Sequence, residues 1–129
     1  LSQCLLDTDV FLDALYGEPE AIEFIDAQKR PAVSTITCAE VFRGCRILSQ
    51  QQALEETLST FQIIEVDALV AKVAGQLACL HYPHKKKKVL FDCLIAATAQ
   101  VHGLQLVTRN VKDYQKIFPG LKPPYILSC

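Results

Sequence analysis

Nowhere in the 129 residues is there an apolar run approaching the ~20 residues that a membrane span needs, so no membrane association is expected. No basic stretch precedes the apolar residues at the start of the chain, and Asp7 and Asp9 interrupt them early. No signal peptide is therefore expected, and the chain reads as soluble and cytoplasmic. No two of the six cysteines, at 4, 38, 45, 79, 93 and 129, are spaced CxxC, which argues against a zinc knuckle. Most lie in apolar segments such as "TITCAEVF" and "FDCLIAA", where cysteine packs as a small hydrophobe, and reduced thiols are expected. There is no internal repeat and no linker, and the one low-complexity tract is Lys85, Lys86, Lys87 and Lys88. Half of the residues are hydrophobic and about a fifth are charged, which excludes a disordered chain. A single domain over residues 1–129 is expected.

Acids are scarce in the second half. Residues 1–67 carry twelve acids against four bases, a net of −8. Residues 68–129 carry nine bases against only two acids, Asp92 and Asp113, a net of +7. The overall charge of −1 hides a basic half that can meet a polyanion.

The apolar segments are short and alternate with helical patterns. "QCLLD" reads as a buried strand ending at Asp7, "PAVSTI" as a second, "QIIEV" as a third and "LQLVT" as a fourth. "TDVFLDALYG" and "EPEAIEFIDAQKR" read as helices, with Pro19 suited to a first helical turn. "TCAEVFRGCRILS" and "SQQQALEETLSTF" read as two more. Asp67 is placed to cap a helix running to about His81, and Gly103 to stop the helix "VLFDCLIAATAQVHG". "VKDYQKIF" reads as a short helix, and "PGLKPPYILSC" as a turn with a candidate edge strand. The alternation predicts an α/β fold with a mainly parallel central sheet of four or five strands. The two helices before the fourth strand fit a single crossover. In such sheets ligands bind beyond the carboxyl ends of the strands.

Acids gather at that edge. Asp7 ends the first strand, Glu40 lies early in the helix after the second, and Asp113 follows the fourth strand just past Asn110. Asp92 opens a helix that has almost no polar face. An isolated buried carboxylate is costly unless a cation accompanies it. Each acid also has a simpler use. Asp7 can cap a helix, Glu40 can complete a capping box Thr37-x-x-Glu40, Asp92 can complement a helix dipole, and Asp113 can be solvated. Together, four acids at one edge repel one another strongly unless cations sit among them. All-oxygen donors suit Mg²⁺ or Mn²⁺ rather than zinc. Such ions activate a water and stabilise the leaving oxygen of a phosphodiester.

The segments "LLDTDVFLDAL", "STITCAEVFRG", "FDCLIAATAQVHGLQLVTRN" and "KDY" resemble the PIN-domain ribonucleases, in particular VapC-type toxins of type II toxin–antitoxin pairs. The resemblance runs from about residue 3 to residue 121 and is most specific over 91–114. It implies a three-layer PIN-like fold with helices on both faces of the sheet. It implies metal-binding acids at Asp7, Glu40 and Asp92, with Asp113 at a fourth acidic position and Asn110 lining the site. It also implies Mg²⁺-dependent endonucleolytic cleavage of RNA, with Mn²⁺ as a substitute, a homodimer, and a cognate antitoxin protein that blocks the site.

Two residues depart from the family's pattern. Asp9 stands where many relatives have Asn, and Tyr114 where many have Phe. Asp9 is expected to be a helix-start residue rather than a support for the site. Lys85, Lys86, Lys87, Lys88 and Arg109 are candidate RNA contacts, the competing reading of the tract being a solvated loop. Phe11, Leu15 and Phe42 are candidates for an apolar groove that takes an antitoxin helix. Two alternatives remain. Asp7-Thr8-Asp9-Val10 has the DxD shape of haloacid-dehalogenase-type phosphatases, with Asp7 as nucleophile, although "LVTRNVKD" fits that family poorly. A non-catalytic PIN-like module binding RNA or protein is the other, and it would not need Asp92 on an apolar helix.

Overall fold

A computed structural model describes residues 3–84 and 89–127. The elements in chain order are β1 (Cys4–Leu6), α1 (Thr8–Leu15), α2 (Pro19–Asp26), β2 (Ala32–Ser34), α3 (Thr35–Arg43) and α4 (Leu48–Leu58). They continue with β3 (Gln62–Ile64), α5 (Ala68–His81), α6 (Val89–His102), β4 (Gln105–Val107) and α7 (Val111–Tyr114). The strands form one parallel sheet in the order β3-β2-β1-β4, with Leu5 paired to Ala32 and to Leu106.

Alternation along the strands divides the core between the two faces. Cys4, Leu6, Val33 and Val107 point to one face, where they pack with Val10, Phe11, Val41, Leu54 and Leu58 from α1, α3 and α4. Leu5, Ala32, Ile64 and Leu106 point to the other, where Ile95, Ala96 and Ala99 of α6 and Tyr114 cover them. Helices thus cover both faces, and the fold is α/β in three layers. Outside α6, α5 packs along it through Val70 and Ala74 against Cys93 and Ala97. Both helices lie in the one crossover from β3 to β4, as the sequence predicts.

The chain runs outward from β1 to β2 and β3, then returns to place β4 on the other side of β1. The order therefore reverses between β1 and β4, and a crevice opens beyond the carboxyl ends of these two strands. Asp7 follows β1 and Thr108 follows β4 at that point, and the Asp7 N–H donates to the Val107 carbonyl at 2.8 Å.

Several boundaries differ from the sequence reading. The second strand stops at Ser34, whose hydroxyl accepts from the Ile36 N–H and caps α3. Thr37 is thus an interior helix residue, fully buried, and the capping box with Glu40 does not form. A local hydroxyl three residues earlier wins the cap. The helix also ends at Arg43, so "GCRILS" belongs partly to a turn and partly to α4. Among the described residues the sheet has four strands, and 119–127 forms no edge strand. Gly103 does stop α6, at φ +64°, a left-handed conformation that costs glycine little.

Phe11 is only 2 % exposed and stacks edge-on against Phe61 at 5.3 Å between ring centroids. Its burial stabilises the fold by about 1.5–3 kcal/mol, and only the edge it shows to a small cleft is left for a partner. Phe42 likewise leans on the same core. Of the three expected groove residues only Leu15 is exposed, and together with Phe11 it lines a cleft of about 230 Å³ with Ala14, Thr57 and Phe61. No helix among the described residues is long and apolar enough to cross a membrane.

Candidate active site

Asp7 caps α1. Its Oδ1 accepts from the Thr8 N–H at 2.8 Å, and its Oδ2 accepts from the Thr108 hydroxyl at 2.8 Å. It is 5 % exposed, and burial, then the charge of Asp9, pushes its pKa up to about 7. The Thr108 and Thr8 hydrogen bonds oppose that rise, and the charge of Asp92 adds to it.

Asp9 is more than a helix-start residue. Its Oδ2 accepts the backbone N–H groups of Arg109 at 2.9 Å and Asn110 at 3.1 Å. It therefore fastens the loop after β4 to the start of α1. Burial raises its pKa despite those donors. Asn110 contributes through its backbone, since its N–H also donates to the Thr108 hydroxyl oxygen at 3.0 Å. Its own side chain makes no cap to α7.

Glu40 is exposed on α3 and accepts the Thr8 hydroxyl at 2.6 Å. Thr8 has one hydroxyl proton, so at 3.0 Å it must accept from Thr37. The buried Thr37 thus orients Thr8, and Thr8 orients Glu40. Asp92 sits half-buried in the first turn of α6. Burial, then the charge of Asp113, pushes its pKa up to about 6, with Glu40 and Asp9 adding smaller repulsions. The Tyr114 hydroxyl lies 3.4 Å from Asp92 Oδ1 and opposes that rise. Tyr114 is 1 % exposed, and its pKa is driven upward by burial and by Asp7 and Asp92 together. The phenol therefore stays a proton donor between the two carboxyls.

Glu40, Asp92 and Asp113 open onto one cleft of about 710 Å³, with Tyr82, Phe91, Lys112 and Lys116 also in its walls. The four expected acids are thus brought to one end of the molecule, three in the cleft wall and Asp7 buried. Among the described residues, no three acid, His or Cys side chains already close on a common point that would hold a metal ion. The donor chemistry nonetheless fits a hard cation: every group is a carboxylate or hydroxyl oxygen. So does the electrostatics: burial first, and the neighbouring carboxylates after it, raise the pKa values of Asp7 and Asp92, a cost that a bound cation would relieve.

Arg109 acts on the edge of this acid group, where its charge opposes the rise in the Asp9 pKa. Its Nε and Nη2 donate to the two carboxylate oxygens of Asp13, the only ion pair among the described residues. Tyr125 also donates to Asp13, at 2.8 Å. Arg109 thus ties the loop after β4 to α1 through Asp13, and Tyr125 ties the chain near it to the same carboxylate. Lys85, Lys86, Lys87 and Lys88 lie outside the described residues.

Sequence reasoning missed Thr8, Thr37, Thr108, Asp13 and Tyr82. The Tyr82 hydroxyl donates to the Asp113 carbonyl at 2.8 Å and anchors α7 to the end of α5. Only Thr108 carried a local signal, by directly following the fourth strand. The others act across 29 to 112 residues of chain.

The chain is similar to known proteins over nearly its whole length. The PIN domain profile matches residues 4–117. Ribonuclease VapC19 of Mycobacterium tuberculosis H37Rv is 35 % identical over 125 residues, 94 % of this chain and 98 % of that protein. Ribonuclease VapC10 of the same strain is 31 % identical over 124 residues, 94 % of this chain and 92 % of that one. A chain of a solved toxin–antitoxin complex from Klebsiella pneumoniae superposes with a TM-score of 0.82 at 37 % identity, covering 97 % of this chain and 100 % of that one. These likenesses span nearly the whole sequence and include both strands that flank the crevice. They leave no place for the phosphatase alternative, and this chain belongs to the PIN-domain family, among its VapC-type members.

Proposed function

We propose that the chain is a divalent-metal-dependent endoribonuclease, the toxin of a toxin–antitoxin pair. The observation that carries this is the acid set at the switch point of the sheet, with Asp7 and Asp92 pushed up to about 7 and about 6. VapC10 and VapC19 are named ribonucleases, and the Klebsiella structure is a toxin–antitoxin complex, which supports both halves of the reading.

Asp7, Glu40, Asp92 and Asp113 are the residues that would hold the cation, Mg²⁺ or Mn²⁺. When bound, such an ion activates a water and stabilises the leaving oxygen of the phosphodiester. The rest is done by the chain itself. Thr37 and Thr8 aim Glu40, Thr108 donates to Asp7, and the Tyr114 phenol donates toward Asp92. Asp9 holds the loop of residues 108–110 against α1, so the two strand ends stay together. A cognate antitoxin and a second copy of the chain are the expected partners. The small apolar cleft beside Leu15 is a landing place for the former. A cytoplasmic location is what this reading expects.

The test is cleavage of cellular RNA by the purified chain with Mg²⁺ or Mn²⁺, stopped by EDTA and by Asp92→Asn. Stable binding of RNA without cleavage of any species would instead identify a non-catalytic PIN-like module.

A further inference from the structure

The acidic cleft has a second wall of opposite character. Phe91 directly precedes Asp92 in the first turn of α6 and is 53 % exposed, whereas Cys93 and residues 95–99 are buried. Among the described residues its ring stacks on no other ring and belongs to no core cluster. Its half-exposed ring stands in the cleft wall next to Asp92, where it would meet whatever occupies the cleft. Lys112 and Lys116 stand in the same wall, and neither is in an ion pair among the described residues. The Lys116 ammonium lies 5.2 Å over the Tyr82 ring and donates to the His81 carbonyl at 3.3 Å. Tyr82 in turn is tied to Asp113. That side is therefore held rigid, with Lys112 left exposed and unpaired.

A flat apolar ring beside positive charge, both bordering carboxylates, is the chemistry that takes one unpaired nucleotide. The ring stacks the base and the lysines hold phosphate, offsetting the repulsion from the acids. An apolar protein segment would leave those lysines and acids unmatched. A duplex hides its base faces inside its own stack, where a ring at a cleft mouth cannot reach them. We propose that Phe91, with Lys112 and Lys116, forms a stacking subsite that seats an unpaired base beside Asp92. This rests on the nuclease reading and assigns that site a residue that positions its substrate.

The experiment is fluorescence anisotropy of the full chain in EDTA at low salt. The probes are labelled oligo-U and oligo-A RNA and the duplex they form together. Phe91→Ala is expected to weaken single-strand binding about 5- to 150-fold, the range for loss of one base–aromatic stack, and to leave duplex binding unchanged. Phe91→Trp should keep wild-type affinity, while Phe91→Leu, apolar but without a π face, should bind like the Ala variant. Lys112→Ala should lower the log–log salt slope by ~0.7. The subsite is overturned if Phe91→Ala binds like wild type, if Leu serves as well as Trp, or if the wild-type chain binds neither single strand. It is equally overturned if Phe91→Ala turns a sedimenting dimer into a monomer and Trp fails to restore binding, which would make the face an interface between copies. A chain that cleaves RNA but shows no Phe91 effect loses the subsite alone. A chain that shows the Phe91 effect but never cleaves loses the nuclease reading alone.

Discussion

Asp7→Asn is expected to stabilise the metal-free protein at neutral pH, and to do so only above the acid range. Asp7 is 5 % exposed and its pKa is raised to about 7, against about 4 in an unfolded chain. Between about pH 4 and pH 7 the folded state therefore binds a proton that the unfolded state does not. Stability contributed by this group falls as pH rises through that window, and the full cost is present above pH 7. A gap of about three pKa units corresponds to about 4 kcal/mol. Asp9 and Asp92 share the repulsion, so removing the Asp7 charge alone should recover about 2–4 kcal/mol. For a chain of this length that is a Tm increase on the order of 10 °C. The substitution preserves the local geometry. Asn caps a helix as well as Asp does, so the bond from the Thr8 N–H survives. The new amide can donate to Thr108, whose own proton turns toward Asp9 at 3.4 Å. The assay is thermal unfolding of both proteins in EDTA from pH 4 to pH 8. The gap should be near zero at pH 4 and widest at pH 8. A gap of constant size, or a variant less stable than wild type at pH 8, would refute the account of Asp7 as a buried, uncompensated carboxylate.

Mg²⁺ or Mn²⁺ should raise the wild-type Tm by mass action, and Asp92→Asn should abolish that rise; an equal rise in the variant removes Asp92 from the ligand set. Thr108→Val deletes the donor to Asp7 and the acceptor of the Asn110 N–H, so it should cost about 1–3 kcal/mol in chemical denaturation and move the lower limb of the pH–rate profile upward. Asp13→Ala leaves Arg109 and Tyr125 without their shared acceptor, with an expected loss of about 1.5–3 kcal/mol; an unchanged denaturation midpoint would show that the network adds nothing. Replacing Lys85, Lys86, Lys87 and Lys88 by Ala should flatten the salt dependence of RNA binding by ~0.7 per lost contact without moving the cleavage position; a wild-type slope leaves the tract a solvated loop.

The sequence by itself determined the layered α/β architecture, because short apolar strands alternating with helices have few ways to bury both faces. It also determined which carboxylates stand at the strand ends, since a residue that directly follows a strand in a parallel sheet has nowhere else to be. Asp7 was legible for that reason, Glu40 and Asp113 because they lie in the helices that follow β2 and β4, Asp92 because it opens a helix with almost no polar face, and Gly103 as a stop. Local chemistry misled at Glu40, where Thr37-x-x-Glu40 has the right spacing for a cap but Ser34 caps first. Only the tertiary structure decided what holds the acids. Asp9 clasps a loop a hundred residues away, and Thr37 reaches Glu40 through Thr8, from another helix. Arg109, basic and adjacent to the site, reads from sequence as an RNA contact, yet its guanidinium faces Asp13 across 96 residues of chain. Such pairings depend on where side chains meet after the sheet reverses its order between β1 and β4, and no local period or spacing encodes that meeting.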